Sequence, residues 1–276
     1  MIKAAMHGKL PELECMEDAL TSTVFGRLRY LPPGDALVPF LEKAIFYSQP
    51  RITLKQYLAG QDINLALYRD VSYFFWPQNQ VYGEPDLVLI FTSHSYGKED
   101  LLLLVEAKYK SSKSGTVEND QLMRYYIAIN QQISDFRSKA IAGFSGIIGP
   151  IIYLTELEAS TEIEDSEKEI KNRVEKELKH PLFHLHWQKL YSVLDGAQMN
   201  EQYKSVVVQD LLSYLDLTNL REFSGITPPS PYISGIVRSN LPLFFAEPIT
   251  VPVITGYFQD LPTLNIKLEK YCFYRG

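Results

Sequence analysis

Five consecutive apolar residues, Leu101 to Val105, run directly into Glu106, Ala107 and Lys108. Side chains of a β-strand alternate between the two faces of its sheet, so a strand that is apolar at both parities is buried on both faces. The run therefore predicts a central strand. Because a buried carboxylate without a partner is costly, Glu106 requires either a structural partner, for which Lys108 would suffice, or a chemical role.

A second β-type run, Pro85 to Phe91, precedes this strand and is separated from it by the polar loop 93–100. Two apolar runs joined by a short polar loop predict an antiparallel hairpin. The position of the loop sets Asp86 almost opposite Glu106 at the open end of the hairpin, with Cβ atoms about 5 Å apart. Lys108 lies two residues after Glu106 and therefore points to the same face.

Two carboxylates and one ammonium group thus converge at one end of the predicted sheet. Facing carboxylates raise each other's pKa, and a divalent cation relieves that repulsion. Oxygen ligands at an open site suit Mg²⁺ or Mn²⁺, which keep several waters and accept phosphate oxygens. Such an ion generates hydroxide and polarises a phosphodiester, while Lys108 can orient the attacking water or stabilise negative charge. The pattern therefore favours metal-dependent phosphodiester hydrolysis.

These residues carry a resemblance to a known superfamily. Pro85-Asp86 followed by Glu106-Ala107-Lys108 resembles the PD-(D/E)xK motif of the restriction-endonuclease-like nucleases. Gln121 and Tyr125, on the next predicted helix, resemble the QxxxY element of the RecB-type and lambda-exonuclease-like branch. Residues four apart lie on one helix face, and the resemblance implies that this face turns toward the active site.

The resemblance implies a fold, a reaction and residue roles over roughly residues 12–155. The fold is α/β, with a restriction-endonuclease-like core in which helices flank a mixed central sheet, and the activity is Mg²⁺- or Mn²⁺-dependent hydrolysis of DNA. Metal binding falls to three carboxylates: Asp86, Glu106 and Glu17. Asp18 is the less favoured candidate beside Glu17. Catalytic roles are implied for the two acids of the motif, Lys108 and Gln121, and substrate contact for Gln121 and Tyr125.

Hydrophobic periodicity predicts most of the other elements. Helices are predicted over 11–31, 36–47, 117–139, 156–179 and 201–217, and strands over 147–155 and 182–187. The helix over 156–179 is acidic and is expected to be exposed. Frequent prolines over 227–262 predict irregular loops and short edge strands.

The composition changes after residue 155. Residues 1–158 are therefore predicted to form the nuclease-like core and residues 159–276 a C-terminal α+β extension packed on it, with one continuous domain as the alternative.

The net charge of −6 excludes a histone-like, strongly basic nucleic-acid binder but not a local basic patch. Such a patch is predicted between Lys108 and Lys139, because this stretch contains six basic and only three acidic residues. Within it, Lys110 and Arg124 are predicted to contact the DNA, because phosphates require positive charge near the site. An ordinary solvated surface explains the same charges equally well.

His184 and His186 alternate on one face of a predicted strand, with His180 nearby. They could bind a metal ion. The apolar residues that alternate with them already explain a half-buried strand, and no cysteine lies near. The sequence therefore favours a structural role for these histidines.

Two alternatives to a deoxyribonuclease stay open. The chain could keep the fold without catalysis, as a binding or regulatory module in a defence or mobile-element complex, since its C-terminal half is large enough to bind a protein partner or a second copy. It could instead cleave RNA, because metal chemistry on a phosphodiester does not separate DNA from RNA.

The remaining sequence signals concern the compartment. Two cysteines, Cys15 and Cys272, exclude a disulfide framework and fit a reducing cytoplasm. The longest apolar stretch at mid-chain, Phe144 to Leu154, is too short for a transmembrane helix of about 20 residues, and the first residues lack the apolar core of a signal peptide. Because no GxxxxGK[ST] loop occurs, ATP use is not expected. A cytoplasmic protein without membrane contact is predicted.

Overall fold

The computed structural model of the protein describes residues 17–47, 51–94, 98–111, 120–174, 178–197 and 200–222. All of them lie in one structural unit, Met1–Phe223. Within this part of the chain a seven-stranded sheet lies at the centre, and helices cover both of its faces. The predicted α/β class with a mixed sheet flanked by helices is confirmed.

The elements follow one another along the described chain with these bounds. The strands are β1 Ile45–Phe46, β2 Ile52–Thr53, β3 Asp70–Phe75, β4 Leu87–Thr92, β5 Leu101–Ala107, β6 Ile147–Thr155 and β7 Leu182–His186. The α-helices are α1 Glu17–Leu28, α2 Leu37–Leu41, α3 Leu54–Ala59, α4 Gln121–Asn130, α5 Lys139–Ala142, α6 Ser160–Arg173, α7 Gln188–Asp195 and α8 Gln202–Leu217. Short 3₁₀ turns lie at Pro33–Asp35, Leu65–Leu67 and Ile133–Asp135.

The sheet has the strand order β2-β1-β7-β6-β5-β4-β3. β5, β6 and β7 run parallel, and the other neighbouring strands pair antiparallel. Because parallel strands bring their carboxyl ends to the same edge of a sheet, the residues that end β5, β6 and β7 meet at one edge. Every residue of β5 is buried, which confirms the predicted central strand.

The pairing of β4 with β5 fixes the hairpin. Leu87 pairs with Val105, and Phe91 pairs with Leu101. Continued by one residue, this register places Asp86 opposite Glu106. The predicted hairpin and its register are therefore confirmed.

Alternate residues of β5 enter two hydrophobic cores. Leu103 and Val105 belong to the core that includes residues of α1 and α8. Leu102 and Leu104 belong to the core that includes residues of α4 and α6. Since Glu106 has the parity of Leu104, its side chain leaves the sheet on the side of α4 and α6.

The helix predicted over 36–47 is wrong in its second half. α2 ends at Leu41, and Ile45–Phe46 form β1 between β2 and β7. The Phe46 ring centroid lies 5.7 Å from that of Phe183 on β7. Burial against the sheet thus outweighs the local helical pattern, as it often does for short β-branched and aromatic segments.

The helix predicted over 117–139 is shorter in the structure. α4 covers Gln121–Asn130, and Gln131 leaves the helical conformation at φ −125°. The chain then turns so that Phe136 pairs with Asn79 and becomes buried. The non-local bridge at Phe136 accounts for the early end of the helix.

The acidic segment forms α6, which is amphipathic rather than exposed. Ile163, Glu167 and Ile170 are buried, at a spacing that puts them on one helix face. The other acidic side chains lie on the opposite, polar face. The prediction that this helix is exposed is therefore wrong for the face that packs on the sheet and holds for the opposite face.

The other predicted elements have mixed outcomes. The strands over 147–155 and 182–187 and the helices over 11–31 and 201–217 are confirmed as β6, β7, α1 and α8, while β3 and α7 were not predicted. Parts of the predicted elements, residues 11–16, 117–119, 175–177 and 227–262, fall outside the described residues. α6, β7, α7 and α8 pack on the same sheet as the residues before them, and the predicted domain boundary at 158 stays a prediction.

None of the helices described is both long enough and apolar enough to cross a membrane.

Gly146 and Gly26 are expected to respond in opposite ways to alanine. A Cβ atom at Gly146 would lie 2.3 Å from the backbone oxygen of Asp100, which accepts the N–H of Ile147. Gly146→Ala should therefore lower the free energy of unfolding by about 1–3 kcal/mol. Gly26 lies within α1 with open space at its Cβ position, so Gly26→Ala should raise it by about 0.5–1 kcal/mol. Urea unfolding followed by circular dichroism measures both, and equal effects would contradict the packing described.

Candidate active site

The hairpin β4–β5 brings the motif residues together at one end of the sheet. Asp86 immediately precedes β4, Glu106 lies near the end of β5, and Lys108 follows the strand. The backbone N–H of Ala107 donates to Asp86 Oδ2 at 2.8 Å. Lys108 Nζ donates to Glu106 Oε1 at 2.8 Å. The three predicted motif side chains therefore occupy one cluster.

Glu17, in the first turn of α1, joins this cluster from the other side. Its Oε1 accepts from Lys108 Nζ at 2.9 Å, and its Oε2 accepts from the N–H of Tyr109 at 3.1 Å and from Ser111 Oγ at 2.6 Å. Asp18 is exposed. The structure thus brings Glu17 to Lys108, as expected, rather than Asp18. We call Glu17, Asp86, Glu106 and Lys108 the acidic site.

Three carboxyl groups and one ammonium group make up the acidic site, and burial shifts the pKa values of two of the carboxyl groups. Burial raises the pKa of Glu106 well above its usual value, and the negative charge of Asp86 raises it further. Burial also raises the pKa of Asp86, although the Ala107 N–H and Lys108 partly offset this. Burial lowers the pKa of Lys108, but the attraction of Glu106 and Glu17 outweighs it, so the net shift is upward and the amine stays charged.

One oxygen of the acidic site lacks a donor. Glu106 Oε2 is buried and accepts no hydrogen bond from a donor group of the described residues. The Asp86 carboxyl group is close enough to share a proton with Glu106. A buried carboxylate oxygen without a donor is costly, and the neighbouring Asp86 adds repulsion. A divalent cation bound by these two carboxylates would remove both penalties, and carboxylate oxygens are the ligands that Mg²⁺ and Mn²⁺ prefer. The donor set therefore fits the predicted metal.

Gln121 and Tyr125 lie on the face of α4 that turns toward this end of the sheet. Gln121 Nε2 donates to the Tyr125 hydroxyl at 3.1 Å, and that hydroxyl donates to the backbone oxygen of Glu84 at 2.8 Å. Both side chains are buried. Because Glu84 lies two residues before Asp86, the pair supports the segment that carries this acid. Burial favours this supporting role, and contact with DNA stays a prediction.

Lys110 and Arg124 flank the acidic site. Lys110 is exposed, has the uncommon φ of 55°, and holds its Nζ 4.9 Å from the centroid of the Tyr109 ring. The Arg124 guanidinium carbon lies 6.0 Å from the Tyr125 ring centroid, beside Gly83. Lys110 follows Lys108 by two residues, and Arg124 precedes Tyr125 on α4. Their predicted role as substrate contacts stays a prediction.

Several supporting residues were missed from the sequence. Ser111 Oγ holds Glu17, and Trp187 Nε1 donates to the backbone oxygen of Lys108 at 3.2 Å. The N–H of Trp76 donates to the backbone oxygen of Asp86 at 3.0 Å, and Trp76 has a φ of 45°. Position next to the motif could have indicated Ser111. No sequence pattern links Trp187 to the motif, because it comes from a remote segment. Trp76 was missed because it directly follows β3, a strand that was not predicted.

No protein-family model matches the chain, and comparisons with curated proteins and with solved structures likewise give no match.

Proposed function

We propose that the protein is a divalent-metal-dependent nuclease that hydrolyses phosphodiester bonds of DNA, built on a restriction-endonuclease-like core. The strongest support is the buried carboxyl group of Glu106, which interacts with the Asp86 carboxyl group. One of its oxygens has no donor among the described residues, and the other binds Lys108. A purely structural ion pair needs no second acid at this place. Two carboxylates can bind a divalent cation, and an ammonium group held beside them can stabilise the charge of a phosphate bound to that cation.

Asp86 and Glu106, with Glu17 as a third carboxylate, would hold Mg²⁺ or Mn²⁺. Such an ion, when bound, supplies a water of lowered pKa and positive charge beside the phosphoryl oxygens. The raised pKa values of Asp86 and Glu106 predict that metal binding competes with protons, so affinity should rise with pH.

Lys108 is held in place before substrate arrives. Its three N–H groups reach Glu106 Oε1, Glu17 Oε1 and the backbone oxygen of Ala107, the last at 3.1 Å. A positioned ammonium group can orient an attacking water or stabilise negative charge that develops on the phosphoryl group. Because the geometry is fixed by the fold, little reorganisation is required at the moment of reaction.

The residues around the acidic site have supporting tasks. Tyr125, oriented by Gln121, positions the segment that leads into Asp86. Lys110 and Arg124 supply positive charge at the edge of the site, in a chain whose net charge is −6. A local basic rim of this kind is what a polyanionic strand requires.

Tyr125→Phe is expected to lower kcat for DNA cleavage about tenfold with little change in KM, since misplaced positioning groups cost rate. The substitution removes the hydrogen bonds to Glu84 and from Gln121 and leaves the ring packing intact. The free energy of unfolding should fall by about 1–3 kcal/mol, because two hydrogen bonds are lost and the buried Gln121 amide loses its acceptor. Tyr126→Phe is the matched control, because the Tyr126 hydroxyl accepts the N–H of Lys179 away from the acidic site. The control should lose similar stability and keep its kcat. Equal kcat losses in the two variants would argue against a positioning role for Tyr125.

The test of the proposed function is cleavage of linear and circular DNA, and of RNA, by the purified chain with Mg²⁺, with Mn²⁺ or with a chelator. Wild type is compared with Asp86→Ala and Lys108→Ala. Asp62→Asn is the control, since Asp62 lies in an exposed turn at a φ of 59° that asparagine tolerates. Metal-dependent cleavage that both site variants lose and the control keeps supports the proposal. Equal cleavage by all four proteins would indicate contamination and reject it, and cleavage of RNA alone would favour the ribonuclease.

A further inference from the structure

A second group of metal-binding side chains lies on the same edge of the sheet as the acidic site. His184 and His186 belong to the end of β7, and Glu158 follows β6. Ligand atoms of the three residues all lie within 4.8 Å of one another. Glu158 Oε1 is 3.7 Å from His184 Nδ1, and Glu158 Oε2 is 3.7 Å from His186 Nε2. We call these three residues the histidine cluster.

Hydrogen bonds determine which nitrogen of His184 carries its proton. The Thr155 hydroxyl donates its single proton to the backbone oxygen of Leu157. It also lies 2.7 Å from His184 Nε2, so it must accept there, and Nε2 carries the proton. The lone pair of the ring therefore lies on Nδ1, the nitrogen that faces Glu158. Metal-binding histidines usually have this arrangement, in which the second ring nitrogen donates to an oxygen of the protein.

The histidine cluster combines a fixed ligand with two accessible ones. The His184 side chain is 1% exposed, whereas those of His186 and Glu158 are 27% and 58% exposed. The His184 and His186 ring centroids lie 4.3 Å apart at an interplanar angle of 62°. The backbone N–H of Ser160 donates to Glu158 Oε1 at 3.2 Å and steadies that carboxylate. An ion can thus enter from solvent and meet a ligand that is already oriented.

We propose that Glu158, His184 and His186 bind a late first-row divalent metal ion, of which Zn²⁺ is the probe. Two imidazoles and one carboxylate are ligands typical of Zn²⁺ and unlike the oxygen-only set that Mg²⁺ prefers. Two atoms bound to one tetrahedral Zn²⁺ at about 2.1 Å lie roughly 3.4 Å apart. The two observed separations of 3.7 Å run to different oxygens of Glu158. The ligand atoms of all three residues lie within 4.8 Å of one another, so the side chains must close by up to about 1.4 Å to bind one ion. Three protein ligands leave one position open to water.

Tyr47 provides a competing, purely structural explanation. Its hydroxyl lies 2.8 Å from the Nδ1 atom of His184 and also forms a hydrogen bond with Glu158. Its ring is covered by the Arg51 guanidinium, whose carbon lies 4.8 Å from the ring centroid. A bound ion must take over the lone pair that this hydroxyl contacts. Tyr47→Phe therefore separates the two explanations, because it removes the structural hydrogen bond and leaves all three proposed ligands.

The histidine cluster is distinct from the acidic site. Glu106, Tyr153 and His184 are neighbours in one row across β5, β6 and β7. Tyr153 lies between the two groups, and its hydroxyl donates to Glu162 at 2.6 Å. The proposed ion therefore lies two strands away from the carboxylates of the hairpin, and the two sites can be tested separately.

The test is calorimetric titration of Zn²⁺ into the chelator-treated full-length chain. Wild type should bind one equivalent of Zn²⁺. The Zn²⁺ affinity of His186→Ala and of Glu158→Gln should be at least about tenfold lower, a loss typical of disturbed metal sites. Both substitutions are at accessible positions, so folding should survive, and circular dichroism checks this. His94→Ala is the matched control, because His94 pairs with Asp70 on an exposed surface outside the cluster.

Two further variants make the outcome decisive. Asp86→Ala and Tyr47→Phe should both keep the Zn²⁺ equivalent, and Co²⁺ substitution should give the visible spectrum of a low-coordinate site with imidazole ligands. Zn²⁺ binding that is equal in wild type and His186→Ala, that is absent from wild type, or that is lost in Asp86→Ala alone would overturn the inference.

Discussion

Glu106→Gln is expected to reduce DNA cleavage at least about 10²-fold and, at the same time, to make the protein more stable. The loss of activity follows because an amide binds a hard cation far less well than a carboxylate, and losing one charge-stabilising group typically costs this much. The gain in stability follows because the carboxylate is buried, has an oxygen without a donor and faces Asp86. The amide oxygen can still accept from Lys108.

The sign of the pH dependence follows from the raised pKa of Glu106. The folded protein holds this proton to a higher pH than the unfolded chain, whose glutamate titrates near 4.5. Wild type therefore loses stability as pH rises from about 4.5 through the folded pKa, and the loss is complete above it. The advantage of Glu106→Gln should be absent in acid and reach about 1 kcal/mol or more at pH 8.

Urea unfolding at pH 4 and pH 8 in a chelating buffer measures this advantage. Glu167→Gln is the control, because Glu167 is another buried carboxyl with a raised pKa but lies on α6 and accepts the N–H of Leu182 at 3.3 Å. This control should keep its nuclease activity. A Glu106→Gln variant that retains cleavage, or that is less stable than wild type at pH 8, would contradict the role assigned to Glu106.

Lys108→Met is expected to lower the free energy of unfolding by about 3 kcal/mol at pH 8, the size of effect seen when one partner of a buried ion pair is removed. Its side chain is 8% exposed and binds both Glu106 and Glu17, so its loss leaves two carboxylates without their counter-charge. The destabilisation should shrink in acid, because protonated carboxyl groups need no ammonium partner.

The double variant Lys108→Met/Glu106→Gln tests the cause of this destabilisation. Removal of the buried carboxylate should restore a large part of the stability that Lys108→Met loses, since the two side chains share one hydrogen-bonded network. Urea unfolding of the two single variants and the double variant completes the cycle. If the effects of the two single substitutions simply added in the double variant, packing of the lysine, rather than its charge, would stabilise this end of the sheet.

Local sequence information was sufficient for the hairpin and for the acid pair. The apolar run 101–105 could form only a buried strand, and its turn fixed the register that sets Asp86 opposite Glu106. The helical spacing of Gln121 and Tyr125 correctly placed both side chains on one face of α4. These predictions succeeded because each depends on contacts between residues near in sequence.

Contacts between distant segments account for what the sequence did not predict. β1 forms because β7 and β2 flank it, although residues 36–47 have a helical pattern. Trp187 reaches Lys108, and Glu158 reaches the two histidines of β7, only once parallel strands lie side by side. The sequence favoured a structural role for those histidines because their carboxylate partner, Glu158, lies in the segment after β6, far from them in sequence.

Binding of Mn²⁺ to the acidic site tests the central claim most directly, because it requires no assumption about substrate. Calorimetry of wild type at pH 8 should show binding that Asp86→Asn and Glu106→Gln greatly weaken and that His186→Ala leaves unchanged. Affinity should fall as pH is lowered through the raised pKa values of Asp86 and Glu106. Wild type that binds no Mn²⁺, or binds it with the same affinity as Asp86→Asn, would contradict the account and favour a nuclease-fold binding protein without catalysis.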